Sequence, residues 1–299
     1  MFERDRLSLE THGKDWPLRQ HSQIIVAGGL SWHVQVMGTG PVLLMLHGTG
    51  ASTHTWRALM PDLAQHYTIV APDLPGHGFT GAPTRQDLTV GGMARAVAAL
   101  LKVLNLTPDL AVGHSAGAAV LIWATLEGLI HPKALIAING ALLPFKGASG
   151  WIFPTMARLL FVNPFTPRLF ARQASAEGVA RLIRQTGSTL DEDGIDYYRR
   201  LMRSPAHCAA ALGMMANWDL RPMGRLFPRL QTPLHLIVGE EDEAVDPDDI
   251  EIVLNKVPNG TGHRLSGLGH LAHEEDPHQI IALIQKIDQD LQGTDSPAA

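Results

Sequence analysis

The chain has 299 residues, 45% apolar and 18% charged, which is room for one large α/β domain with an insertion or for two ordinary domains. Lys plus Arg total 24 against 29 for Asp plus Glu, a formal charge of −5 with no basic block, so nucleic acid is excluded as an expected partner. A single cysteine, Cys208, excludes an intrachain disulfide and a cysteine zinc cluster, and it fits a reducing, cytoplasmic setting.

The first residues, MFERDRLSLETHGKDW, are polar and lack the apolar core of a secretory signal; residues 1–20 read as an arm. QIIVAGGLSWHVQVMG reads as two strands joined at Gly28 and Gly29. VLLML (42–46), YTIVA (67–71), DLAVG (109–113) and ALIAIN (134–139) are continuous apolar runs, as expected of strands covered on both faces. Helical spacing is expected at 56–64, 90–105 and 116–128. Strand and helix alternate through short connections, which predicts a mostly parallel, doubly wound α/β sheet.

The alternation stops near Lys146. From 146 to 228 the pattern is helical, with pieces expected at 154–162, 175–186, 193–203 and 205–217, and the segment reads as a cap inserted into a core of 21–145 and 229–292. Its aromatic and methionine side chains, with Trp151, Phe153, Met214 and Trp218 foremost, are candidates to roof a substrate pocket. Residues 151–170 are apolar but carry Arg158 and Arg168 and are broken by Pro154, Pro164 and Pro167. No run of about 18 apolar residues occurs, so this segment can lie on a membrane as a peripheral contact or cover a pocket, but not span. PLHLIVG (233–239) restores the strand pattern. A helix is expected after Pro247, a last strand at HRLS (263–266), a helix at 277–291 and a frayed tail at 293–299.

The sequence AVGHSAGAAV (111–120) sets one serine between two glycines, after an apolar run and before a helix. A strand-to-helix turn tight enough to need Gly113 and Gly117 thrusts Ser115 out at the strand's carboxyl end, where open α/β sheets bind ligands. The helix start then offers the Ala116 N–H to an oxyanion. A serine needs a base, and GLGHLAHEEDP (267–277) supplies His270, with His273 as its rival. Zinc on His270, His273 and Glu274 lacks the two histidines four apart that such helices use, so no metal is expected. The acid that would hold the histidine comes from GEEDEAVDPDD, where Glu240, Glu241, Asp242, Glu243 and Asp246 compete. Asp242 is favoured because it is short and sits at the loop apex. The glycine-rich HGTGAS loop offers the N–H of Thr49 as a second oxyanion donor, with His47 orienting the loop. His114 reads as core packing, Asp73 and His77 as loop anchors. No phosphate loop or dinucleotide fingerprint occurs, so no cofactor is expected.

HGTG (47–50), PDLPGHG (72–78), GHSAG (113–117), GEEDEAV (239–245) and GLGH (267–270) together resemble the α/β-hydrolase superfamily, across residues 24–291 apart from the cap. The resemblance implies an eight-stranded, mostly parallel sheet with an inserted helical cap, and the chain order Ser115, Asp242, His270 is that family's. Ala116 and Ala118 depart from it, where many relatives carry a larger residue and a glycine. Within the superfamily, WHVQVMG (32–38), HGTGASTHTW (47–56), GHSAGAA (113–119), NGALLPF (139–145), LGMMANWDL (212–220) and GLGHLAHEE (267–275) resemble the magnesium-chelatase accessory proteins of bacteriochlorophyll biosynthesis. That implies a role near magnesium insertion into protoporphyrin. Two readings follow. One is a serine hydrolase cleaving an ester or related carbonyl bond of a hydrophobic substrate. The other is an accessory protein that binds a tetrapyrrole or magnesium-chelatase subunits and makes little use of the triad.

Overall fold

Gly28 and Gly29 both take positive φ, 57° and 80°. That turns β1 (Ser22–Ala27) back on β2 (Leu30–Met37) as an antiparallel hairpin. The computed structural model describes residues 5–144, 163 and 165–295. The apolar runs become β3 (Val42–Leu46), β4 (Thr68–Pro72), β5 (Leu110–His114), β6 (Ala134–Ile138) and β7 (Leu234–Gly239). With the β1–β2 hairpin and β8 (Gly260–Leu265) they form one eight-stranded sheet in the order β1-β2-β4-β3-β5-β6-β7-β8. β2 is antiparallel to both neighbours, and the pairs from β4 to β8 are parallel. β3 lies between β4 and β5, so the chain reverses its direction across the sheet there, the place where such sheets open a crevice at their carboxyl ends. Register carries that edge along the sheet: Leu46 lies beside Gly113, His114 beside Ile138, and Ile138 beside Ile237.

Alternate residues of each strand feed opposite faces. Leu43 and Met45 join Val112, Ile136, Ile280 and Ile284 on one face. Leu44 and Leu46 join Ala111, Val97, Leu100 and Val120 on the other. The helices expected at 56–64, 90–105 and 116–128 resolve differently. The first is a 3-10 turn (Thr53–Trp56) followed by the one-turn helix α1 (Met60–Leu63). Pro61 has no N–H and is tolerated only in a first helical turn, so one continuous helix cannot run through it. The other two form as α2 (Val90–Leu104) and α3 (Ala116–Leu126).

Between β6 and β7 lie α4 (Thr166–Gln173), α5 (Ala176–Arg184), α6 (Glu192–Met202), α7 (Pro205–Asn217) and α8 (Met223–Leu226). Ser175, Asp191 and Ser204 cap α5, α6 and α7 by accepting from N–H groups one turn on, which fixes where those helices start. The helical piece at 154–162, and with it Trp151 and Phe153, lies outside the described residues. After β7 come α9 (Asp249–Leu254), α10 (Ala272–Glu275) and α11 (Pro277–Asp295). β8 begins at Gly260, three residues before the expected strand, because Gly260 to Gly262 pair in register with Leu234 to Leu236. The N-terminal arm packs Trp16 edge-on to Phe79 and Tyr197, and Arg200 of α6 bonds Asp15, so the arm bridges cap and core. Among the described residues no helix is long and apolar enough to cross a membrane.

Candidate active site

Ser115 joins β5 to α3 with φ 51° and ψ −118°, a backbone state that side chains rarely adopt. Its N–H donates to the Ile138 carbonyl at 3.0 Å, and its carbonyl accepts from Ala141 N–H at 3.1 Å, so both neighbours clamp the strain. The flanking glycines are required by contact. A Cβ on Gly113 would lie 2.4 Å from the Ala118 nitrogen, and one on Gly117 2.2 Å from the Leu46 carbonyl oxygen. Ala116 is the first residue of α3, so its N–H has no acceptor within the helix.

His270 lies on the loop after β8. Its Nδ1 is 2.8 Å from Asp242 Oδ2. A carboxylate only accepts, so Nδ1 carries the proton and Nε2 is the basic nitrogen of the neutral ring. Asp242 is buried while Glu240, Glu241, Glu243 and Asp246 are exposed, which separates the five acids of that loop. Its Oδ1 accepts from the N–H groups of Ala244 at 2.8 Å and Val245 at 2.9 Å, and its Oδ2 also from Asn139 Nδ2 at 2.8 Å. The backbone of His270 is held as well. Its N–H donates to the Thr186 carbonyl at 3.2 Å, and its carbonyl accepts from His114 Nε2 at 2.9 Å. His114, which reads from the sequence as core packing, therefore also holds the His270 backbone.

The loop after β3 is organised by two neutral histidines. His47 Nε2 accepts from Leu74 N–H at 2.9 Å, so its Nδ1–H donates to the Gly48 carbonyl at 2.7 Å. His207, from α7, accepts from Gly78 N–H at 3.0 Å and donates from Nε2 to the Gly50 carbonyl at 3.0 Å. Burial pushes His47 down to about 4 and His207 down to about 3, so both stay neutral at physiological pH. Asp73 is buried beneath, receiving His33 Nδ1–H and the N–H groups of Thr53 and Phe79. His273, the rival of His270, instead meets Thr55 Oγ1 at 2.6 Å. Thr55 and Tyr198 donate to Glu274, which pairs with Arg57. Among the described residues no three metal-ligating side chains converge.

A cavity of about 460 Å³ lies between this sheet edge and the cap. Thr49, Ser115 and His270 line it from the core side, with Phe170, Leu182, Ile183, Met202 and Met215 among the cap residues. Met214 does not face it. It is fully buried in the core below, where its sulfur accepts from Thr49 Oγ1 at 3.3 Å, and Met215, one residue on, takes the lining position. Trp218 packs against that same core rather than the cavity.

Residues 41–277 match the family described as alpha/beta hydrolase fold. The chain belongs to that family. This alpha/beta hydrolase is 39% identical over 263 residues to the magnesium-chelatase 30 kDa subunit of Rhodobacter capsulatus, covering 87% of this chain and 92% of that one. It is 27% identical over 261 residues to the pyrrolizixenacetamide deacetylase of Xenorhabdus hominickii, covering 83% and 91%. Among solved structures, the epoxide hydrolase CorEH superposes with a TM-score of 0.75 at 21% identity, covering 90% of this chain and 99% of that one.

Three features of the hydrolase's site escape sequence reading. Asn139 looks like the end of a strand, His207 like an ordinary residue of a helix start, and Thr186 with Ser188 like a polar cap loop. Ser188 Oγ accepts from Leu271 N–H at 2.8 Å, beside the Thr186 contact to His270. Only Asn139 leaves a trace, as a polar residue that directly ends an apolar run at the same sheet edge as Ser115.

Proposed function

We propose that this alpha/beta hydrolase is a serine hydrolase that cleaves an ester or related carbonyl bond of a hydrophobic substrate, near magnesium insertion in (bacterio)chlorophyll biosynthesis. In this reading residues 21–145 and 229–292 carry the chemistry and 146–228 form the lid. The supporting observation is the joint geometry of a strained serine and an Asp242-bound imidazole on one cavity. His270 Nε2 takes the Ser115 proton as Oγ attacks the carbonyl carbon. The N–H groups of Thr49 and Ala116 receive the oxyanion, and His270 returns the proton to the leaving alkoxide. Water then repeats the sequence and frees the acid. Asp242 accepts from Nδ1 and so holds the ring in the tautomer whose Nε2 can take a proton.

Substrate class follows from the lining. None of the described lining residues is Lys, Arg, Asp or Glu, so a charged group entering there would lose its hydration without a partner. An uncharged ester avoids that cost, and the cavity's volume lies in the range of about 300–1,000 Å³ usual for small-molecule sites. The pathway assignment rests on the Rhodobacter capsulatus relative, whose name makes a tetrapyrrole the leading candidate for the hydrophobic partner. The same name favours a second reading, an accessory protein that docks on chelatase subunits and does not use Ser115.

Fluorophosphonate labelling separates the two. The wild-type chain is expected to carry one adduct on Ser115, and Ser115→Ala none, with unchanged circular dichroism. Asp242→Asn should slow labelling by about 10⁴, as loss of the orienting carboxylate does in serine proteases. Magnesium insertion in cells decides the rest: it should fail with Ser115→Ala. An unlabelled wild type, with insertion intact in Ser115→Ala, hands the case to the accessory reading.

A further inference from the structure

The cap carries an apolar rim that the catalytic proposal does not use. Phe165 at the start of α4 is 72% exposed and Leu169, one turn on, 56% exposed. Phe170, Leu182 of α5 and Met215 of α7 are also exposed, and these three line the cavity as well. The rim is therefore continuous with the cavity mouth. Large apolar side chains clustered in this way mark an interaction surface.

Charge identifies the occupant. Residues 166–184 hold four arginines, Arg168, Arg172, Arg181 and Arg184, and one acid, Glu177, in a chain whose formal charge is −5. All four arginines are exposed. Arg168 meets Asp5 at 3.2 Å and Arg181 meets Glu177 at 3.4 Å, both on the surface. On α4, Arg168 and Arg172 form a row beside Phe165 and Leu169, so guanidinium groups flank the apolar stripe. Apolar side chains edged by arginine match an interface of acyl chains below anionic headgroups. A protein seated on the rim would cover the mouth through which an apolar substrate must pass, whereas a bilayer is the reservoir that holds such a substrate.

We propose that the rim formed by α4, α5 and Met215 docks this protein on an anionic lipid bilayer, with the cavity mouth facing the lipid. The docking stands on the rim alone; delivery of substrate from the bilayer into the cavity rests on the hydrolase reading. Residues 151–162, outside the described residues, are not needed for it.

The test is vesicle flotation of the full chain with phosphatidylcholine alone and with phosphatidylcholine containing phosphatidylglycerol. Wild type should float with the anionic vesicles and lose binding as salt is raised. Phe165→Ser/Leu169→Ser and, separately, Arg172→Glu/Arg184→Glu should each lower the bound fraction about tenfold or more. None of these four residues lines the cavity, so Ser115 labelling in detergent-free solution should stay at the wild-type rate and report that the variants fold. Failure of wild type to float, or binding indifferent to both variants, overturns the proposal. So does a rim variant that instead changes the oligomeric state on gel filtration or abolishes capture of chelatase subunits without altering flotation. Flotation without labelling leaves docking in place and removes the hydrolase.

Discussion

Asn139 holds a left-handed backbone (φ 46°), and its buried Oδ1 finds no hydrogen-bond partner among the described residues. Both features oppose folding, the orphaned oxygen by about 1–3 kcal/mol. Among the described residues the one bond its side chain makes is the donation to Asp242 Oδ2. A residue kept under those conditions is best understood as holding the carboxylate in line with His270. Asn139→Ala removes the donor and the orphaned acceptor together. It should slow Ser115 labelling by about 10- to 100-fold, as expected for a hydrogen bond to a charged group worth about 1.5–3 kcal/mol. The melting temperature should move little. Unchanged labelling would make Asn139 a structural residue. The strained turn at Ser115 and the pairing of Asp242 with His270 are legible in the sequence because glycines mark each strand end and because the order of these residues along the chain fits one architecture. Asn139 and His207 are not, since each acts through a partner more than 100 residues away; the polar end of an apolar run is the one local trace, and it belongs to Asn139.

At the scale of elements, the elbow depends on α3 lying hard against β3. Gly117→Ala would bring a methyl to 2.2 Å from the Leu46 carbonyl oxygen and 2.6 Å from that of His47. Backbone cannot yield as a side-chain tip does, so the helix must shift, typically at about 1–3 kcal/mol or more. The same shift moves Ser115. Gly117→Ala should therefore lower the melting temperature by several degrees and reduce labelling together, read by calorimetry and by the labelling rate. A variant that melts like wild type would show that the helix has slack. The strands buried on both faces are legible to within a residue or two, because nothing but an apolar run can occupy that environment. β8 is misread at its start because an edge strand needs no apolar run: Gly260 and Thr261 are exposed and qualify only through pairing. The helix at 56–64 is misread because apolar spacing speaks louder than one proline.

Across the whole molecule, the fold is built around histidines that must stay neutral. Burial lowers His47, His54, His77, His114, His207 and His273, His47 to about 4 and both His77 and His207 to about 3. In the unfolded chain each is an ordinary base near pH 6.5. Below that pH the unfolded chain binds protons that the folded one refuses, so stability is fully present above about pH 6.5 and falls as pH falls. Each such histidine adds a slope of up to about 1.4 kcal/mol per pH unit, and His47, His77 and His207 together up to roughly 4 between about pH 5.5 and 4. Asp73, held far below the usual carboxylate range by His33 and its backbone donors despite its burial, extends the loss to still lower pH. Glu274, raised by burial against the pull of Arg57, acts in the opposite direction and offsets part of one proton. Urea midpoints measured from pH 8 to 4.5 should thus be level down to about 7 and then drop steeply through 6 and 5. Carboxylate titration alone would leave the midpoint level until about pH 5. A midpoint unchanged between pH 7 and 5 would mean that water reaches these rings, and that the loops holding Thr49 and His270 are looser than their hydrogen bonds imply.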